Sequence, residues 1–261
     1  MGSILVPIDF TEQSSDAARY AADMAAAIGA NIQLIHVQRV PEVTSAGPLP
    51  ADVLEEIRNS CLSSLETLAN ELTQRTGGKV YVATYSETGN FETIVKAFCQ
   101  WKKPLFIVTG PLPIPPTYRL SFPVLVVPPN TVFHPIHSIV IACDHEDLST
   151  GIPIPIQFFQ QIRDLFGVRF DLIHVSIKED NDEKKAIAAF TQWKHKLTGG
   201  FPEIHFTHAA SVEEGISHYL HSHHADWLMV FPKKTGLFRF HKNLSTGIIL
   251  HCPLPTMSMT G

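Results

Sequence analysis

The tetrapeptide Leu34-Ile35-His36-Val37 recurs at Leu172-Ile173-His174-Val175, and around it the two halves of the chain repeat one another. Ser3–Asp9 and Ser138–Asp144 are apolar runs that end in an aspartate, and Gly29 and Gly167 each stand five positions before the leucine of the repeat. Thr11 and Ser149 open the intervening segments. Asn90-Phe91-Glu92 corresponds to Ser211-Val212-Glu213, and Phe106-Ile107-Val108 to Trp227-Leu228-Met229. A duplicated chain folds as copies of one unit, so what either half encodes decides the fold class of the whole.

Each half alternates strands with helices. Residues 3–8 form a continuous apolar run, as expected of a parallel strand covered on both faces. Thr11 or Ser14 can cap the alanine-rich helix that follows, and Gly29 can end it. The pattern predicts further strands at 31–37, 79–84, 104–109 and 123–128. It predicts helices at 51–74, closed by Gly77-Gly78, and at 90–101. In the second half the strands fall at 138–143, 169–175, 203–208, 226–231 and 254–259, and the helices at 149–166, 182–197 and 211–223. This order requires right-handed crossovers. The expected architecture is α/β: two tandem, doubly wound, mainly parallel five-stranded sheets with helices on both faces. The domains are 1–130 and 137–261, with Pro128–Pro135 as linker.

Composition narrows the function classes. A chain of 261 residues, 44% apolar and 17% charged, fits two soluble globular domains. A net charge of −5 argues against general nucleic-acid binding. The apolar runs are strand length, too short to span a membrane. No secretory pattern precedes the first strand, so the expected location is the cytoplasm. The four cysteines, Cys61, Cys99, Cys143 and Cys252, have no CxxC spacing and read as reduced thiols.

Ile4-Leu5-Val6-Pro7-Ile8-Asp9-Phe10 before a capping Thr or Ser, the Leu-Ile-His-Val strand, Gly89–Val95 at a helix start and Pro123–Pro128 as a closing strand together resemble the universal stress protein family. The resemblance spans nearly the whole chain and identifies it as a tandem member. It implies an adenine nucleotide alpha-hydrolase-like fold, and pairing of Pro123–Val127 with Pro255–Met259 in an intrachain pseudo-dimer. A further homodimer is left open. Nucleotide-binding members carry G-x2-G-x9-G-[ST] after strand four, because glycine admits phosphate close to the backbone and the helix-start amides hold the anion. This chain departs from that pattern twice. Thr109 to Pro123 spans 14 positions where Val230 to Pro255 spans 25, and the prolines of Gly110–Thr117 remove amide donors. The longer second segment holds Gly236 and Gly247 at another spacing, with Lys242-Asn243 where the final Gly-Ser belongs. The phosphate motif is lost in the first domain and degenerate in the second.

The resemblance implies that Asp9 and Asp144, with the backbones of Val37 and Val175, contact a nucleoside. Either aspartate can equally serve as a structural cap. Trp227–Gly261 contains no acidic residue but does contain Lys233, Lys234, Arg239 and Lys242. Lys233, Lys234, Lys242 and Asn243 are thus candidates to hold a phosphate-bearing ligand through side chains, or else form a solvated basic face. His218, His221 and His224 recur every three residues, the spacing of weak metal-ligand candidates, though a solvated helix end accounts for them as well. No nucleophile elbow, P-loop or G-x-G-x-x-G occurs. The sequence therefore reads as a non-catalytic, cytoplasmic stress-response protein acting by ligand or protein binding. It needs no cofactor or metal, and has no nucleic-acid or membrane partner. The alternative is an ATP- or AMP-binding protein, slowly ATP-hydrolysing, that uses the second domain.

Overall fold

The computed structural model describes residues 2–38, 50–111, 122–142, 156–177, 203–231, 247–249 and 251–259, and isolated helical positions 184, 187, 188 and 191. The chain divides into two compact units, Met1–Phe133 and His134–Gly261.

In the first unit, β1 (Ser3–Pro7), β2 (Asn31–Gln38), β3 (Val82–Thr88), β4 (Ile107–Thr109) and β5 (Val124–Val126) lie in the order β3-β2-β1-β4-β5. Every neighbouring pair is parallel, with Ser3 opposite Asn31, Ile32 opposite Val82, Leu5 opposite Ile107 and Ile107 opposite Val124. Ile4, Leu5 and Val6 are fully buried, as expected of a central strand covered on both faces.

Helix α1 (Glu12–Ile28) begins where the Thr11 side chain accepts from Ser14 N–H, and ends at Gly29, whose φ of 67° only glycine adopts freely. Its face of Ala17, Ala18, Ala21, Ala22 and Ala25 is buried, which brings the helix close to the sheet. Helix α2 (Ala51–Arg75) lies beside it, tied by Arg19 to Glu71 at 2.7 Å and by Arg75 to Asp23 at 2.8 Å. Helix α3 (Phe91–Lys102) starts at Asn90, whose side chain accepts from Thr93 N–H. Within the expected linker, Asn130 N–H donates to Asp16 and Phe133 packs edge-on against Tyr20, so these residues belong to the first unit.

One strand is displaced from expectation. The run expected at 79–84 pairs instead as Val82–Thr88. Val80 is buried before the strand begins, and the register against β2 carries the polar Thr84–Thr88 stretch into the sheet as an outer strand of the unit. Polar residues at a sheet margin give no apolar signal. The strands expected at 104–109 and 123–128 are shorter, Ile107–Thr109 and Val124–Val126, and the second is flanked by Pro123 and Pro128, which cannot donate to a ladder.

The second unit repeats the plan with β6 (Ser138–Ala142), β7 (Arg169–Ser176), β8 (Glu203–His208), β9 (Trp227–Val230) and β10 (Thr256–Ser258) in the order β10-β9-β6-β7-β8, again with parallel neighbours. Asp226 accepts from the N–H groups of His137 and Ser138, fixing the start of β6. Helix α4 (Ile156–Phe166) is the described part of the helix expected at 149–166. The isolated helical positions fall within the one expected at 182–197, and α5 (Val212–Ser222) matches the one expected at 211–223. Phe159 and Trp227 are the largest fully buried side chains of this core.

Candidate functional site

In the first unit the chain leaves β1 toward β2 on one side and later returns to β4 on the other. The crevice outside the carboxyl ends of β1 and β4 is therefore the topological switch point, where doubly wound sheets bind ligands. Asp9 and Phe10 stand at the end of β1, and Thr109 and Gly110 at the end of β4. A Cβ on Gly110 would meet the Gln13 carbonyl oxygen at 2.9 Å, so only glycine lets β4 end directly against the first turn of α1.

Asp9 does two things here. Its Oδ1 accepts from Thr11 N–H at 3.1 Å and from Thr11 Oγ1 at 2.6 Å, which holds the capping threonine in place. Its Oδ2 is buried and has no hydrogen-bond partner among the described residues. A buried carboxylate oxygen without a donor is costly. Gln13 Oε1, one turn into α1, is in the same state.

Phe10 follows with φ of 63°, a left-handed conformation that costs a bulky residue about 1–3 kcal/mol. The strain turns its ring outward to 41% exposure, 4.6 Å from the His36 ring. His36 Nδ1 lies 2.8 Å from the Ile8 carbonyl. A carbonyl only accepts, so Nδ1 carries the proton and this ring edge is fixed. An orphaned carboxylate oxygen beside an aromatic pair can hold a small planar molecule that presents N–H or O–H donors.

Val37 completes the crevice from β2. Pairing of β2 with β1 stops at Ile35, while β2 continues against β3 as far as Gln38. By strand alternation the N–H and C=O of Val37 face the β1 side, past the last β1 partner. In the second unit the pairing of β7 with β6 runs to Ile173 among the described residues, and by the same alternation Val175 faces the β6 side. The Val175 side chain packs under α5, where a Cβ on Gly215 would come within 2.5 Å of Val175 Cγ1.

Asp144, Lys233, Lys234, Lys242 and Asn243, the other candidates of the second half, lie outside the described residues, as does the proline-rich segment after Pro111. The three histidines are not brought together. His218 and His221 are on α5, His221 Nδ1 contacts its own helix at the Ser217 carbonyl, and His224 lies beyond the helix end with its side chain 83% exposed. His221 and His224 line a cavity of about 490 Å³ with Ile216, Leu220, Ile248 and His251, and His218 does not.

The fold agrees with the comparisons. The sequence profile of the universal stress protein family matches residues 1–110. Residues 1–110 match as a universal stress protein domain. A universal stress protein of Archaeoglobus fulgidus DSM 4304 superposes on the chain with a TM-score of 0.74 at 14% identity, covering 99% of this chain and 98% of that one. A putative universal stress protein of Pseudomonas aeruginosa UCBPP-PA14 superposes at 0.58 with 16% identity, covering 100% and 93%. At such identities these likenesses speak for the fold, and the universal stress protein fold extends over the whole chain. No curated protein matches by sequence. Among the described residues, no helix is long and apolar enough to cross a membrane.

Proposed function

We propose that the chain is a non-catalytic stress-response protein that works by binding a small ligand in the switch-point crevice of its universal stress protein domain. The observation that carries this reading is Asp9 Oδ2, a buried acceptor with no partner among the described residues, placed where this architecture receives ligands. The ligand class is a nucleoside-like molecule: a planar ring against Phe10 and His36, with a hydroxyl or amine donating to Asp9. Phosphate contributes little in this unit, because the prolines between Gly110 and Thr117 carry no amide hydrogens.

A second reading is favoured by Val175, whose backbone repeats the placement of Val37. It puts ATP or AMP in the second unit, with Asp144, Lys233, Lys234, Lys242 and Asn243 around it.

One experiment separates the two. Native mass spectrometry of the purified chain, followed by titration with adenosine, AMP and magnesium ATP, is run on the native protein and on Asp9→Asn and Asp144→Asn variants. The crevice reading expects Asp9→Asn to weaken adenosine binding about 10- to 100-fold, the worth of a hydrogen bond to a charged group. Binding that survives Asp9→Asn but falls with Asp144→Asn moves the site to the second unit. No binding of any of the three overturns both readings and leaves a protein partner as the target.

A further inference from the structure

Toward the amino ends of the strands in the second unit, Asp171 of β7 and Glu203 and His205 of β8 each offer a ligand atom, and these atoms lie within 4.8 Å of one another. We propose that this group is a binding site for a divalent transition ion of zinc type.

The placement follows from the sheet. Asp171 is directly opposite Glu203 in the parallel β7–β8 register, and alternation puts His205, two residues on, on the same face. The main chain thus fixes one imidazole and two carboxylates side by side.

Their surroundings favour an ion over a simple charge pair. Asp171 is only 3% exposed. Its Oδ2 is engaged by Arg169 at 3.2 Å and by Ser138 Oγ at 3.4 Å. Its Oδ1 is buried with no hydrogen-bond partner among the described residues. Such an oxygen calls for a ligand that the surrounding side chains do not supply. His205 Nε2 is 3.5 Å from Glu203 Oε2, and the His205 ring packs 4.9 Å from Tyr219 and 5.1 Å from His223, which limits how it can turn. The three side chains grade outward, Asp171 4% exposed, His205 26% and Glu203 71%, so an ion enters along the outer strand of the unit.

The donor set selects the ion. Bonds of about 2.0–2.2 Å place zinc ligands roughly 3.3–3.6 Å apart, and His205 Nε2 and Glu203 Oε2 already stand 3.5 Å from each other. One imidazole among two carboxylates suits zinc and its first-row neighbours better than magnesium or calcium, which prefer oxygen alone. Arg169 offsets one carboxylate, leaving a net single negative charge to face the ion. The site uses none of the residues assigned to ligand binding in the proposed function, so it stands or falls separately from that reading.

The test is uptake of Zn2+ by the metal-free full-length chain, in competition with a chromophoric chelator, and Co2+ substitution followed by its visible spectrum. We expect one ion per chain, not displaced by Mg2+. Glu203→Gln and His205→Ala should each weaken binding about tenfold or more, with loss of the cobalt spectrum and unchanged circular dichroism. Both residues lie on the outer strand of the unit, so neither change removes core. A His218→Ala/His221→Ala/His224→Ala variant should bind as the native chain does. No saturable zinc uptake, uptake that passes unchanged through the Glu203 and His205 variants, or uptake lost only in the triple variant would overturn the site.

Discussion

Lys103 closes α3 with φ of 47° and ψ of 56°, a conformation in which an L-residue crowds the next carbonyl at a cost of about 1–2 kcal/mol. Its side chain is exposed, so nothing is lost by removing it. Lys103→Gly should stabilise the first unit by roughly 0.5–1 kcal/mol after the added chain entropy of glycine, read as a raised midpoint in urea.

Four residues earlier, burial pushes the Cys99 thiol up to about 12 from its ordinary 9.0. The folded chain holds this proton more tightly than the unfolded chain. The resulting stability is complete below pH 9 and is lost as pH climbs toward 12. Cys99→Ala should lower stability by about 1 kcal/mol near neutrality through its small cavity, yet flatten the alkaline decline, as denaturant titrations at several pH values would report.

At this scale the sequence was partly legible. Thr11 and Gly29 announce helix ends because their chemistry is local. The strain at Phe10 and the orphaned oxygen of Asp9 are not, since both depend on β4 returning beside β1 from far along the chain.

Among elements, α5 packs closely on β7. The missing side chain of Gly215 makes room for Val175, and Gly215→Ala would drive a methyl to within 2.5 Å of Val175 Cγ1. The expected loss is about 1–3 kcal/mol. Adding Val175→Ala should recover part of it, so the double-mutant cycle gives a coupling energy of favourable sign, measured by thermal and chemical unfolding.

Helices were easier to read than strands. α2 runs from Ala51 to Arg75 along a clear apolar stripe, whereas β3 was misplaced because its core-facing content is thin and its position is set by hydrogen bonds to β2. The same blindness hides the Asp171, Glu203 and His205 group. The first lies far from the other two in sequence, and only the β7–β8 register makes them neighbours. The evenly spaced His218, His221 and His224, which do catch the eye, run off the end of α5.

For the whole molecule, the duplication was the most legible feature, and both units carry the same strand order about a central first strand. Repetition made the fold readable twice over. It could not reveal how the copies diverged. In the first unit, β4 is followed by prolines, and Asp9 and Phe10 form the crevice corner. In the second, the described residues that stand out are those on the β7–β8 face. Identical topology with different side chains at equivalent ends of the strands is what a duplicated chain allows: one copy can keep a site while the other acquires a new one.

The parallel order also has a consequence in time. Leu5 meets Ile107 only after β2, β3 and three helices have been made between them, so during synthesis β1 must wait for almost the entire first unit to emerge. Early pairing of β1 with β2 is comparatively local, but the β1–β4 seam is the most distant strand pairing described in the unit and among the slowest kinds to form. The crevice at Asp9 exists only once that seam has closed. On the proposed function, a nascent chain would gain the capacity to bind a ligand there only at the end of folding, and a ligand that fits the crevice would reward completion of the unit and no earlier stage.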